Sequence, residues 1–85
     1  MSKFLDIVNA EYIGDYKILF TFENGEKKIV NFEDMLWGEA FETLKDKNLF
    51  KQFKVNKEYG TIVWPNGADV APDGMYEIGI SYNKG

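Results

Sequence analysis

The chain has 85 residues, of which 45% are hydrophobic and 16% aromatic, and its 10 basic and 14 acidic residues give a formal net charge of −4. This length predicts one domain, residues 1–85, and the aromatic content excludes a disordered chain. There is no Cys or His, and all ten basic residues are Lys. These absences exclude disulfides, Cys-type zinc sites, the usual general base and guanidinium recognition of phosphate. We therefore expect a protein that is not an enzyme and needs no cofactor.

The first 32 residues predict a three-stranded antiparallel meander. Residues 4–13 mix apolar and polar positions, as a strand with two different faces does. Residues 16–22 then alternate strictly and place four apolar side chains on one face: Tyr16, Ile18, Phe20 and Phe22. Asn24-Gly25 favours a type I′ hairpin turn, because both central residues of that turn need a positive φ. Residues 28–31 alternate again and form the predicted return strand.

Residues 33–46 form the one predicted helical segment. Its apolar side chains recur at four-residue steps, as one face of a helix requires: Leu36, Ala40 and Leu44. Asn31 is a candidate N-cap. Gly38 costs about 1 kcal/mol in a helix interior relative to Ala. The segment is therefore also compatible with two short helical pieces that meet near Trp37 and Gly38.

The second half of the chain predicts another hairpin. Residues 53–56 alternate, residues 57–60 suit a turn, and residues 61–64 are β-branched and aromatic. Residues 65–74 are rich in turn formers, and residues 75–82 suit either a last strand or a segment that covers the core. Together these elements predict an α+β fold with an antiparallel sheet of about five strands. It comprises the N-terminal meander, one short helical segment and the C-terminal hairpin.

Charged residues are segregated along the chain, because residues 33–44 carry a net charge of −4 and residues 45–57 a net charge of +4. The acidic stretch predicts a negatively charged helical face: Glu33, Asp34, Glu39 and Glu42. Such a face usually only solvates a surface helix. It also suits the docking of a basic partner protein, since complementary charge accelerates and orients association.

The segment from Trp64 to Glu77 has two interpretations. As a binding loop, it would present five side chains to a ligand or partner: Trp64, Asn66, Asp69, Asp73 and Tyr76. As a structural connection, it would bury Trp64, and its acids would accept hydrogen bonds from nearby backbone amides. Calcium is a weaker alternative, because the spacing of its oxygen-bearing side chains matches no EF-hand loop.

Three lysines interleave with aromatic residues in the basic stretch: Lys51, Lys54 and Lys57 with Phe50, Phe53 and Tyr59. This pattern is typical of proteins that bind single-stranded nucleic acids. The alternative is an exposed strand whose lysines prevent edge-to-edge aggregation. A pI near 4.7 argues against phosphate binding. A small-ligand or nucleic-acid-binding domain that uses these lysines and the Trp64–Tyr76 loop therefore stays the second hypothesis.

The block Trp64–Pro72, which reads Trp-Pro-Asn-Gly-Ala-Asp-Val-Ala-Pro, carries a family resemblance. Four shorter blocks accompany it: Phe22–Gly25, Val30–Phe32, Phe41–Leu44 and Leu49–Phe50. Over residues 4–78 the chain resembles the bacterial domain-of-unknown-function family 2442. The segment Asp73–Tyr76 departs from the family's usual pattern, which has a bulkier residue at position 74.

The resemblance implies a small α+β protein that has no established activity and no catalytic residues. Members are often encoded beside another small protein, in an arrangement similar to a toxin–antitoxin pair. The resemblance therefore implies an antitoxin-like role with the product of a neighbouring gene as partner. The chain contains no apolar run of the ~20 residues that a membrane span needs, and its start does not resemble a secretory signal. We expect a cytoplasmic protein, and the edges of its sheet leave a homodimer open.

Overall fold

Alternating apolar residues produce three consecutive antiparallel strands: β1, Ile7–Gly14; β2, Lys17–Phe22; and β3, Lys27–Asn31. The computed structural model describes residues 5–82. The predicted meander is therefore confirmed over the described residues, and residue 4 of the first predicted strand lies outside them. The inner face of β2 is buried because its alternate residues, Ile18, Phe20 and Phe22, all enter the core.

The turn between β2 and β3 differs from the predicted type I′ geometry. Among the non-glycine residues from 5 to 82, only Asp15 has a positive φ, so Asn24 does not adopt the conformation that type I′ requires. Instead Gly25, with a φ of 90°, donates its backbone N–H to the carbonyl of Phe22 at 2.8 Å. The side chain of Asn24 accepts a hydrogen bond from the Glu26 N–H at 3.0 Å. The hairpin exists, but it closes through a longer turn.

The predicted helical segment, residues 33–46, contains two short pieces: α1, Glu39–Glu42, and a 3-10 helix, Thr43–Lys45; a further helix that was not predicted, α2, Lys47–Phe50, follows it. Helix α1 begins directly after Gly38, whose φ of 91° does not occur inside a helix. Asn31 accepts a hydrogen bond from the Glu33 N–H at 3.0 Å, as predicted for a cap, but it caps a turn. Residues 33–38 are therefore not helical, and the prediction of one helix over 33–46 is wrong at its N-terminal part.

The second hairpin is confirmed as β4, Lys54–Asn56, paired with β5, Thr61–Val63. It forms a separate two-stranded sheet and does not extend the meander. The two sheets meet where the backbone N–H of Ile7 donates to the carbonyl of Gly60 at 2.8 Å. Gly60 has a φ of 70°, which residues with a side chain rarely adopt, and an added Cβ would also meet the Asp6 carboxyl group.

The chain after residue 71 forms a helix, α3, Pro72–Ile78, which the sequence analysis did not predict, and a short strand, β6, Ile80–Ser81. Pro72 and the residue that follows it, Asp73, both lie in the first turn of α3, and both residue types favour a helix N-terminus. Strand β6 pairs with β3, which completes a four-stranded antiparallel sheet in the order β1-β2-β3-β6. The α+β class is confirmed. Within residues 5–82, no helix is long and apolar enough to cross a membrane.

Aromatic side chains dominate the core between the sheets and the helices. The ring of Phe50 from α2 lies 5.3 Å from that of Tyr16, 5.7 Å from Phe32 and 5.8 Å from Trp64, measured between centroids. The indole N–H of Trp64 donates to the backbone carbonyl of Phe50 at 2.7 Å, so the one polar atom of the buried indole is satisfied. This cluster fixes α2 and the chain after β5 against the meander.

Candidate functional site

An open groove with a volume of about 460 Å³ lies between two segments that are distant in sequence. Phe32, Met35, Trp37 and Phe41 line it from the first segment, and Asp69, Val70, Ala71 and Met75 line it from the second. Seven of these eight side chains are apolar. Concave, mainly apolar surfaces of this size are typical of binding sites. The groove is therefore the candidate functional site.

Trp37 at this groove is 75% exposed, although tryptophan is usually well buried in folded proteins. Its neighbour Leu36 is only 3% exposed and anchors the chain in the core. The bend at Gly38 follows directly and starts α1, so the chain turns before the indole can follow Leu36 inward. A large aromatic side chain is thus held in water beside an apolar groove. Tryptophan is the residue type most enriched among the energetic centres of protein interfaces, together with Tyr and Arg.

The two segments that line the groove are strongly acidic. Residues 32–42 and 69–75 contain six acidic residues and no lysine: Glu33, Asp34, Glu39, Glu42, Asp69 and Asp73. All six are exposed. The ammonium group of Lys45 lies 4.0 Å from the Glu42 carboxylate, and because both side chains are exposed, this ion pair is weak. The groove therefore combines an apolar lining, to which Asp69 contributes a carboxylate, with lining segments that carry negative charge, while Asp73 lines a separate pocket with Lys28, Tyr76 and Glu77.

Trp64 supports the groove from the core side. It is 2% exposed, and its ring lies 5.9 Å from that of Phe32 and 6.0 Å from that of Phe41. Both contacts are edge-to-face, the arrangement that aromatic pairs prefer. Because Phe32 and Phe41 line the groove, Trp64 packs against part of its lining from the core side.

Asn66 connects the turn after Trp64 to the helix α1. Its side-chain amide donates to the Ala40 carbonyl and to the Thr43 hydroxyl, both at 2.8 Å. Its side-chain oxygen accepts a hydrogen bond from the Ala68 N–H at 3.0 Å. The first two hydrogen bonds join the turn that precedes the second groove segment to α1 and the 3-10 helix, whereas the third lies within that turn.

Strand β5 positions the second segment. Val63 forms an isolated antiparallel bridge with Asp69, and the Thr61 hydroxyl donates to the Val70 carbonyl at 2.6 Å. Thr61 is buried, so this hydrogen bond also satisfies a polar group that would be costly to leave unpaired. As a result Asp69 and Val70 reach the groove from a fixed backbone.

Tyr76 of α3 does not line the groove; its side chain contacts the β2–β3 hairpin instead. Its ring packs edge-on against Phe22 at 5.2 Å, and the ammonium group of Lys28 lies 3.9 Å from its centroid. Lys28 also donates to the Tyr76 carbonyl at 2.8 Å. A hydrogen bond with the Glu26 carboxylate, together with burial and the negative charge of Glu26, raises the pKa of the Tyr76 phenol above its ordinary value of 10.0. Tyr76 therefore joins α3 to the β2–β3 hairpin.

The structure separates the nine residues singled out from the sequence into three groups. The six acidic ones belong to the segments that form the groove, Trp64 and Asn66 support it, and Tyr76 contacts the hairpin. The predicted acidic helical face is not one helical face, because Glu33 and Asp34 lie in a turn and only Glu39 and Glu42 lie in α1.

Trp37 and the two methionines of the groove, Met35 and Met75, were not among the site residues predicted from the sequence. One signal for Trp37 was present. It lies outside the four-residue apolar series of the predicted helix and directly precedes a glycine.

The three lysines of the nucleic-acid hypothesis lie in different elements. Lys51 follows α2, Lys54 lies in β4, and Lys57 lies in the β4–β5 turn. Of the aromatic residues interleaved with them, Phe50 is 0% exposed, Phe53 is half-buried and Tyr59 is 65% exposed. Only Tyr59 therefore offers a stacking surface. In the part of the chain that the structure describes, no group of three or more acidic side chains is arranged to hold a metal ion.

Comparison with known proteins identifies the family. A profile of the family described as "Protein of unknown function (DUF2442)" matches residues 7–81. No curated protein and no solved structure matches the chain. The matched range runs from the start of β1 to the end of β6 and includes both segments of the groove. The chain therefore belongs to the DUF2442 family of proteins of unknown function.

Proposed function

We propose that this chain is a non-enzymatic protein-binding module that uses the acidic-edged apolar groove, in an antitoxin-like role in the cytoplasm toward the product of a neighbouring gene. The observation that carries the proposal is the 75% exposure of Trp37 at the groove. Leaving a large aromatic surface in water forgoes about 25 cal/mol for each Å² that a partner would cover. A partner that covers Trp37 recovers this free energy on binding.

The residue types of the groove also support protein binding. Aromatic residues and methionine are enriched at the centres of protein interfaces, and the groove contains Trp37, Met35 and Met75. Methionine side chains are flexible and polarisable, so they adapt to the shape of a partner. The acidic surround adds long-range attraction for a basic partner. The absence of His, Cys and Arg from the chain leaves few groups for bond-making chemistry.

The alternative, a small-ligand or nucleic-acid-binding domain, has less support. Trp64 belongs to the loop that this alternative uses, and an indole that is 2% exposed has no free face for a base. The lysine stretch presents one exposed aromatic ring, that of Tyr59. The groove itself would repel phosphate because its two segments carry six acids and no lysine.

Co-purification with three versions of the protein tests the proposal. The tagged wild type, Trp37→Ala and Tyr59→Ala are each co-expressed with the neighbouring gene product and recovered from the cytoplasm. Tyr59 is the matched control because it is an exposed aromatic residue on the β4–β5 turn and does not line the groove. Both substitutions are at exposed positions and should change stability by no more than about 0.5 kcal/mol.

We expect wild type and Tyr59→Ala to retain the partner and Trp37→Ala to lose most of it. A partner present at a hundred times its dissociation constant should also raise the free energy of unfolding by about 2.7 kcal/mol. Two results would contradict the proposal: no partner is recovered with the wild type, or Trp37→Ala retains the partner as well as Tyr59→Ala does.

A further inference from the structure

We infer that the groove accepts a cationic amphipathic helix, whose apolar stripe enters the groove while its Lys or Arg residues face the surrounding acids. This inference rests on the proposed function and adds the chemistry of the partner segment. Its basis is the combination of an apolar lining with a charge of one sign in both lining segments.

Negative charge is concentrated in the two segments that line the groove. The chain as a whole has a net charge of only −4, yet residues 32–42 and 69–75 alone contain six acids and no lysine. The lysine nearest in sequence, Lys45, lies outside both segments and makes only a weak, exposed ion pair with Glu42. The ammonium group of Lys28 is directed to the Tyr76 carbonyl and ring. An acidic or neutral partner would therefore gain no electrostatic attraction at the groove, whereas a basic partner would be attracted to both segments.

A helix suits this groove better than an extended strand does. A strand sends successive side chains to opposite faces, so apolar and basic residues of an alternating strand point in opposite directions. A helix with apolar residues at i, i+3, i+4 and i+7 presents a narrow apolar stripe with cationic side chains on both flanks. Such a helix can fill an apolar groove and reach the acids of both lining segments at the same time.

Synthetic peptides test this inference without the natural partner. The cationic peptide has 14 residues, with Leu at i, i+3, i+4 and i+7, Lys on the flanks and Ala elsewhere. The first matched peptide has Glu in place of every Lys. The second keeps the cationic composition but scrambles the Leu positions. None contains an aromatic residue, so binding is followed through the tryptophan emission of the protein, in which Trp37 is the exposed indole.

We expect the cationic amphipathic peptide to shift the emission to shorter wavelength and the two matched peptides to do so at least about tenfold more weakly. Raising the salt from low to high concentration should weaken the binding by about tenfold, since it screens exposed charges. The shift should vanish in Trp37→Ala. Equal binding of the anionic peptide, equal binding of the scrambled peptide, or no binding of the cationic peptide would each overturn the inference.

Charge-neutralising variants give a second measurement. Glu39→Gln with Asp69→Asn removes one charge from each segment, and Glu11→Gln with Glu58→Gln removes two charges elsewhere on the surface. We expect the first pair to weaken binding of the cationic peptide by about three- to tenfold and the second pair by less than about twofold. Equal effects of the two pairs would contradict a site-specific role of the acids.

The inference and the proposed function can fail separately. If a partner co-purifies through Trp37 but no cationic helix binds, the groove binds protein of another chemistry and the inference is wrong. If the cationic peptide binds at Trp37 but no cellular partner is recovered, the recognition chemistry is correct and the proposed function is contradicted.

Discussion

Replacing Asn66 with alanine removes three hydrogen bonds, two to α1 and the 3-10 helix and one within its own turn. Two of them, to the Ala40 carbonyl and the Thr43 hydroxyl, are exposed to solvent, and the third, from the Ala68 N–H, is partly buried. A net contribution of about 0.5–1.5 kcal/mol is typical of one hydrogen bond, and water replaces exposed partners most easily. Taking the low end for the exposed pair and about 1 kcal/mol for the third, we expect a loss of about 2 kcal/mol.

Urea unfolding at 25 °C measures this loss, with the emission of the buried Trp64 as the signal. In thermal unfolding the same change should lower Tm by about 8–16 °C for a domain of this size. The matched control is Asn48→Ala in α2. Asn48 is exposed and, within the described residues, hydrogen-bonds through its backbone. That control should change the free energy of unfolding by less than about 0.5 kcal/mol.

The comparison of the two variants has a clear negative outcome. If Asn66→Ala loses no more stability than Asn48→Ala, then α1 is not held in place through Asn66. The position of Phe41 and Trp37 at the groove would then need another explanation. A large loss for both variants would show general sensitivity to asparagine substitution and would equally refute the reasoning.

Three further predictions concern α3 and its neighbours. Gly74→Ala should stabilise the protein by about 0.5–1 kcal/mol in urea unfolding, because the new Cβ would lie 3.8 Å from that of Ala71, an ordinary contact, and alanine is the better helix former. Gly79→Ala should destabilise it by about 1–3 kcal/mol, because the new Cβ would lie 2.7 Å from the Lys28 Cβ; equal signs for the two glycine variants would contradict one of these two predictions. Because the pKa of Tyr76 is raised, the folded state holds the phenol proton more tightly than the unfolded state does. The stabilisation from this proton is therefore complete below pH 10.0 and is lost as the pH rises through the folded pKa. Unfolding free energies measured across this range should therefore fall more steeply for the wild type than for Tyr76→Phe, and parallel curves would contradict the assignment.

Much of the fold could be predicted because it follows from local pattern. The alternation in residues 16–22 and 28–31 indicated adjacent strands, and a hairpin turn near Asn24 joined them. The β4–β5 hairpin followed from the same kind of signal. Helix α3 was missed because the proline, aspartate and glycine at positions 72–74 resemble a turn when they are counted by residue type. In context, the proline and the aspartate favour a helix N-terminus.

The candidate site was less predictable because it depends on contacts between distant segments. The acids of the groove were visible as charge runs, but nothing in their spacing brings residues 32–42 to residues 69–75. That approach depends on Asn66 and on the packing of Phe41 against Trp64. The exposure of Trp37 likewise depends on the chain direction at Gly38, where the backbone takes a positive φ.

Hydrogen–deuterium exchange of the protein with and without its co-purified partner tests the central claim most directly. Residues 32–42 and 69–75 form the groove, whereas residues 57–60 in the β4–β5 turn serve as an internal reference. The account predicts slower exchange in both groove segments and unchanged exchange in the reference turn when the partner is bound. Slower exchange confined to the reference turn or to β1, with both groove segments unaffected, would contradict it.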